Sequence, residues 1–223
     1  MDKYMDRGRK PPHAVEDGDP PAITFIKNDH QIFRALFDRI EDAHGDALVW
    51  LANEACVRLA IHMTIEEEIL YPALKPVLAI DKIDEGIVEH DVARRLIVEL
   101  SDMTGREELY RSKVHVLGEE TMHHIDEEDG GLLRDGRKAW EEGKVDLVVV
   151  GQQLQDRSQE LYDLIGAIAR DTITVNAQAV GDEVEKFPDP AASCRVWKFL
   201  DLVAHGLCID GDGVARNRAD QVV

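Results

Sequence analysis

The stretch His62-Met63-Thr64-Ile65-Glu66-Glu67-Glu68-Ile69-Leu70-Tyr71-Pro72 sets a histidine and a carboxylate one helical turn apart among apolar neighbours. Four residues along an α-helix turn through about 400°, so His62 and Glu66 lie about 40° apart on one face. Leu48, Leu51, Ala55, Leu59, Ile69 and Ala73 fall on the same side, a stripe expected to face a bundle interior, whereas Glu67 and Glu68 point elsewhere. A lone carboxylate on a buried face is costly unless it is paired or bound to a metal. The pattern therefore reads as a metal-ligand pair.

Three further helices are written around it. Helix A is expected from about Ala22 to Ala43, with His30 inward among Ile23, Ile26, Phe33 and Phe37. Gly45 ends it, and Asp46 is the expected cap of a second helix that continues to Tyr71 before Pro72 and Pro76 break it. The third spans roughly Asp81 to Met103, with Ile83, Ile87, Ala93 and Ile97 flanking His90, and stops at Gly105. The fourth runs from about Arg106 to Asp129 and stops at Gly130-Gly131, with Tyr110, Val114, Leu117, Thr121 and Glu128 on the side of His124. Four such helices joined by short loops suit an all-α, up-down-up-down four-helix bundle.

The bundle is written twice. Asp29-His30-Gln31-Ile32-Phe33-Arg34-Ala35-Leu36-Phe37 matches Glu89-His90-Asp91-Val92-Ala93-Arg94-Arg95-Leu96-Ile97, acid for acid and apolar for apolar. His62-x3-Glu66-x3-Leu70 likewise corresponds to His124-x3-Glu128-x3-Leu132, with steps of 32 and 34 residues from His30 to His62 and from His90 to His124. Two such halves would bring four imidazoles and two carboxylates to one level of the core. Two cations fit that set, and imidazoles select iron, manganese or zinc over calcium and magnesium. Other histidines do not qualify: His115 should face water, His123 is a flank residue, His44 lies too far along its helix, and His13 and His205 sit in the arm and tail. Glu120 reads as a solvated helix-edge acid rather than an acceptor for an imidazole N–H, and Arg34 and Arg94 as side chains that reach out to solvent.

These residues resemble the hemerythrin-like (HHE cation-binding) family. Asp29-His30, His62-x3-Glu66-Glu67 running into Leu70-Tyr71-Pro72, Glu89-His90 and His123-His124-Ile125-Asp126-Glu127-Glu128 follow that family's motifs in order and spacing from about Ile23 to Trp140. The resemblance implies that His30, His62, Glu66, His90, His124 and Glu128 bind a non-haem di-iron centre, two iron ions bridged by Glu66 and Glu128, with manganese or zinc as substitutes. The oxygen carriers of the family have His-x3-His on the third helix, where this chain has Arg94 after His90 and Gly86 before it. On the fourth they have His-x4-Asp, where Asp129 lies about 140° from His124 and Glu128, within about 40°, is preferred as the ligand. Four imidazoles in place of five favour redox chemistry, ligand sensing or exchangeable metal over reversible oxygen carriage.

Composition narrows the partners. Forty-five acidic against 26 basic residues give a net charge of -19, which opposes nucleic acid and anionic membranes. The Pro-rich, charged segment 1–21 reads as a flexible arm without the apolar core of a signal peptide, and no later run approaches a membrane span. A cytoplasmic protein is expected. Cys56, Cys194 and Cys208 are too scattered for a disulfide framework or a zinc-thiolate site. After the bundle at 22–142, a fifth amphipathic helix is expected within 143–172, lying on the bundle or pairing two copies as a homodimer. In the tail 173–223 a short docking helix is expected over Ala191 to Ile209, and Asp210-Gly211-Asp212-Gly213 lacks the register of a calcium loop.

The chain carries no constellation for an organic substrate, so a non-enzymatic protein that binds or senses O2, NO or peroxide, or handles iron, is expected. The alternatives are a di-iron enzyme decomposing peroxide and a ferritin-like iron oxidase or storage protein. Against the last, the Glu-x2-His pairs are limited to Glu120-x2-His123 and Glu41-x2-His44.

Overall fold

The structure is a computed structural model that describes residues 15–177, 207–209 and 215–217. The chain divides within one long helix into two compact units, 1–159 and 160–223. The first unit is all-helical where described. It contains α1 (Pro21–Asp42), α2 (Asp46–Ile65), α3 (Tyr71–Leu74), α4 (Ile80–Ser101), α5 (Tyr110–Glu127), α6 (Leu133–Glu141) and the start of α7 (Leu147–Ala177). α1 packs on α2 and α5, and α4 packs on the same two helices, so the four close a ring around one core.

Helix α1 begins where Pro21 occupies the first turn, a position that needs no N–H donor. Its residues Ile23, Ile26, His30, Phe33, Phe37 and Ile40 recur at helical spacing and are all buried. Asp46 is the first residue of α2 rather than its cap. Gly45 (φ 56°) leads into the helix instead, and no side chain caps it.

Pro72 does not break the second helix. A π turn, Glu66–Leu70, joins α2 to α3, and the Tyr71 N–H reaches back five residues to the Glu66 carbonyl. The wider turn opens the helix just ahead of the proline, whose ring would clash with a carbonyl four residues back in a regular helix. The extra residue also shifts the inward face. Ile69 and Ala73, expected in the stripe, are only half-buried, and Leu70 and Leu74 fill the core in their place. Gly130-Gly131 likewise lie within a second π turn, Glu128–Leu132, closed by the Leu133 N–H on the Glu128 carbonyl, and the helix continues as α6. Both π turns begin at a carboxylate of the His-x3-Glu repeat.

An 18-residue window within the Asp46–Leu74 stretch reaches a mean hydropathy of 1.2, enough by length and composition to cross a membrane, contrary to the sequence expectation. Most of that window, 61%, is buried inside the protein, which accounts for its apolar content as a core helix. Gly151 of α7 lies so close to the start of α1 that an added Cβ would stand 2.5 Å from the Ala22 nitrogen. Ahead of α1, Asp19 accepts from Lys27 and Arg137, each at 2.9 Å, which ties the segment before the bundle to α1 and α6.

In the second unit α7 extends beyond the expected end of the fifth helix to Ala177. The expected docking helix over 191–209 is not found where the chain is described. Leu207–Ile209 is instead a strand, β1, paired antiparallel with β2 (Ala215–Asn217), Cys208 opposite Arg216. The rest of that segment, the first fourteen residues and Asp210 to Gly213 lie outside the described residues.

Candidate metal centre

Four helices and two π turns deliver the six side chains of the repeat to one place. His30 comes from α1, His62 from α2, His90 from α4 and His124 from α5, while Glu66 and Glu128 open the two π turns; all six are buried. One group joins His30, His62, Glu66 and Glu128, and a second joins Glu66, His90 and His124. Glu66 spans both, with Oε1 at 3.3 Å from His62 Nε2 and Oε2 at 3.3 Å from His90 Nε2. Glu128 Oε2 faces His30 Nε2 at 3.5 Å and His124 Nε2 at 3.7 Å.

The far side of every imidazole is held by an acid. Nδ1–H of His30 donates to Asp129 Oδ1 at 2.8 Å, that of His90 to Glu67 Oε1 at 2.8 Å, that of His124 to Glu89 Oε2 at 2.7 Å, and that of His62 to Asp29 Oδ2 at 3.4 Å. An ionised carboxylate only accepts, so these partners place the proton on Nδ1 and leave the Nε2 lone pairs aimed at the centre. The pattern is two-fold. The acid before the first histidine of each half holds the second histidine of that half, and the acid after each glutamate holds the first histidine of the other half.

The centre is starved of hydrogen-bond donors. Nε2 of His30 and of His62, both oxygens of Glu66 and Oε2 of Glu128 are buried without a hydrogen-bond partner. Nε2 of His90 and Nε2 of His124 stand 3.1 Å apart, and with both protons on Nδ1 two lone pairs face each other. Two nitrogens on one ion at about 2.1 Å each would stand at about that separation.

The charges point the same way. Burial pushes the Glu66 carboxyl well above its ordinary range, and the neighbouring Glu128 charge pushes it further. Burial would raise Glu128 too, but His124, His30 and His62 outweigh it and hold that carboxyl far below the ordinary range. Burial lowers His62, and it pushes His90 down to about 4 with help from His124. His30 goes the other way: burial opposes its charge, yet Asp129 and Glu128 hold it at about 9. The two buried glutamates thus draw positive charge to the centre, and a bound cation would supply it.

A family model, the hemerythrin HHE cation-binding domain, matches residues 22–134. The chain belongs to that family. No curated protein and no solved structure matches it. Within this hemerythrin HHE domain the donor set of nitrogen and oxygen atoms suits a transition ion, and the orphaned imidazole nitrogens and carboxylate oxygens are those a metal would satisfy.

Several residues of the HHE site escaped the sequence reading. Glu67, expected to point elsewhere, is half-buried and holds His90. Asp129, set aside as a ligand because a regular helix would turn it from His124, is fully inside but holds His30 from outside the donor set. A turn hydrogen-bonded five residues back rotates less per residue and keeps Glu128 and its neighbour on one side. Glu89, not Glu120, takes the His124 N–H, and Glu120 is exposed as expected. The signal was present as a repeated doublet: an acid stands beside each of His30, Glu66, His90 and Glu128.

Arg34 and Arg94 do not reach out to solvent. Their side chains keep 13% and 15% of their exposure, Arg34 pairing with Asp126 and Asp129, and Arg94 with Glu67 and Asp91. Tyr71 is the other unforeseen member. Its hydroxyl donates to Glu128 Oε1 at 2.9 Å and lies 3.4 Å from His90 Nε2. Gly86 makes the room: a Cβ there would stand 2.8 Å from that hydroxyl. Of the excluded histidines, His123 and His44 are exposed, whereas His115, expected to face water, is half-buried with Nδ1 3.1 Å from Glu41. His13 and His205 lie outside the described residues.

Proposed function

We propose that the buried set holds two iron ions, one at His30 and His62 and one at His90 and His124, with Glu66 and Glu128 shared between them. The helices carrying them follow the up-down-up-down order that short connections favour. The observation that carries this reading is the convergence of four Nε2 atoms and two carboxylates, buried and short of donors, with every Nδ1 committed to an acid. Non-haem iron supplies reversible redox chemistry toward small ligands, and the function we infer is binding or sensing O2, NO or peroxide, or handling iron.

The protein's own groups define what such a ligand would meet. Asp129, Glu67, Glu89 and Asp29 orient the imidazoles, and Phe33 packs edge-on against His62 with ring centroids 5.1 Å apart, keeping one flank apolar. Tyr71 offers a hydroxyl proton at the centre, bonded to Glu128. That hydroxyl favours a second reading, a peroxide-decomposing enzyme in which Tyr71 holds or yields a proton at its phenolic oxygen.

Metal analysis and absorption spectra of protein purified without added metal test the first reading, with two iron ions per chain expected. His62→Ala or Glu66→Ala should lose one ion and hold the other more weakly. Two ions per chain in both variants would refute the assignment. Sustained oxygen evolution from added peroxide, with no spectral change under O2 or NO, would favour the enzyme.

A further inference from the structure

Glu89 serves two imidazoles at once. Its Oε2 accepts from the buried His124, and its Oε1 lies 3.7 Å from Nε2 of His123, the neighbouring residue on α5. The same Nε2 is 3.3 Å from Glu127 Oε1, one turn further along. One donor atom from each of Glu89, His123 and Glu127 lies within 4.8 Å of the others. His123-x3-Glu127 repeats the spacing of His62-x3-Glu66 and His124-x3-Glu128, displaced by one residue and therefore turned about 100° toward the surface.

Ligand atoms about 2.0–2.2 Å from one ion stand roughly 3–3.7 Å apart, so the triad needs only small side-chain adjustment. Its most exposed members are the ones free to adjust: His123 keeps 60% and Glu127 45% of side-chain exposure, while Glu89 at 20% is fixed by His124. Among the described residues no lysine or arginine pairs with Glu89 or Glu127. A net charge of -19 favours a cation over an anion there.

We propose that Glu89, His123 and Glu127 form a third divalent-cation site, open to water at the surface and joined to the buried set through the Glu89 carboxylate. An imidazole with two carboxylates selects a transition ion of the Zn2+ type over calcium or magnesium. Water completes the coordination, so the ion exchanges readily. An ion on Oε1 withdraws charge from the carboxylate that accepts the His124 Nδ1–H, which makes His124 a poorer donor to the buried set. The surface site stands on its own geometry; this link to His124 rests on the buried set holding iron.

Calorimetric Zn2+ titration of the full chain, as purified and with its metal content measured, tests the site in wild type, His123→Ala and Glu127→Gln. Wild type should take up one more Zn2+ per chain than either variant, all three having the same helical circular dichroism. Equal stoichiometry and affinity in the three proteins would overturn the site. Any Zn2+ that enters the buried set adds equally to all three, so a chain found without iron sinks the buried-iron reading and leaves this comparison intact. In iron-loaded protein, saturating Zn2+ should speed iron release to a ferrous chelator by up to about 10-fold in wild type and leave His123→Ala unchanged. Equal rates in the two would overturn the link through Glu89.

Discussion

Asp129 Oδ1 lies 2.8 Å from Nδ1 of His30, although 99 positions separate the two residues in the chain. Asp129 fixes the tautomer of His30 from outside the donor set, and Arg34 braces it at 3.3 Å. Asp129→Asn keeps the shape and removes the charge. Loss of such an outer acceptor weakens metal binding by about 10-fold or more. Chelator competition measures it, with Asp126→Asn as control, since Asp126 pairs with Arg34 at 2.9 Å without an observed imidazole contact. Equal loss in both variants would move the effect from His30 to Arg34.

Tyr71 and Gly86 form one contact, so their substitutions should not add. Tyr71→Phe leaves a buried Glu128 oxygen without its donor and should lower the stability of the metal-free protein by about 1–3 kcal/mol. Gly86→Ala drives a methyl against the Tyr71 hydroxyl and should cost about 1–3 kcal/mol by overpacking. In the double variant the offending oxygen is gone, so a coupling of about 0.5 kcal/mol or more is expected in urea unfolding. Strict additivity would contradict the contact.

The shift of phase at the first π turn has its own test. Leu70 is wholly buried and Ile69 is not. Leu70→Ala should cost about 2–5 kcal/mol through the cavity it leaves. Ile69→Ala should cost about 1 kcal/mol or less. A regular α-helix through Glu66 to Tyr71 would reverse that order.

Asp19 carries an acid-sensitive share of stability. Burial alone would raise its carboxyl, but the Glu16 N–H, Lys27 and Arg137 outweigh it and hold the group below its ordinary 3.8. A depressed carboxyl contributes stability that is complete above its unfolded value and disappears as pH falls through the lower folded value. Asp19→Asn should therefore cost about 1–3 kcal/mol near neutrality. The gap between wild type and variant should close only below about pH 4. Thermal melts from pH 7 to pH 3 measure it, and a gap constant over that range would remove Asp19 from the acid response.

Periodicity alone placed His30, His62, Glu66, His90, His124 and Glu128 on inward faces. Side chains three and four residues apart share a helix face whatever the helix packs against, so the inward faces of α1, α2 and α5 and both His-x3-Glu pairs were legible without coordinates. The repeat of Asp29-His30 in Glu89-His90 tied the two halves together for the same local reason.

What packing decided lay where the helix departs from its regular period or where a partner comes from another element. Pro72 and Gly130-Gly131 look like terminators in one dimension, yet π turns carry both helices through and set Leu70 rather than Ile69, and Asp129 beside Glu128, toward the core. Tyr71 acquires its partners across 57 residues to Glu128 and 19 to His90, in space left by Gly86. The local chain dictates which way a side chain faces on a regular helix, but which acid meets which imidazole depends on helix register and crossing, quantities that exist only once the four helices have packed.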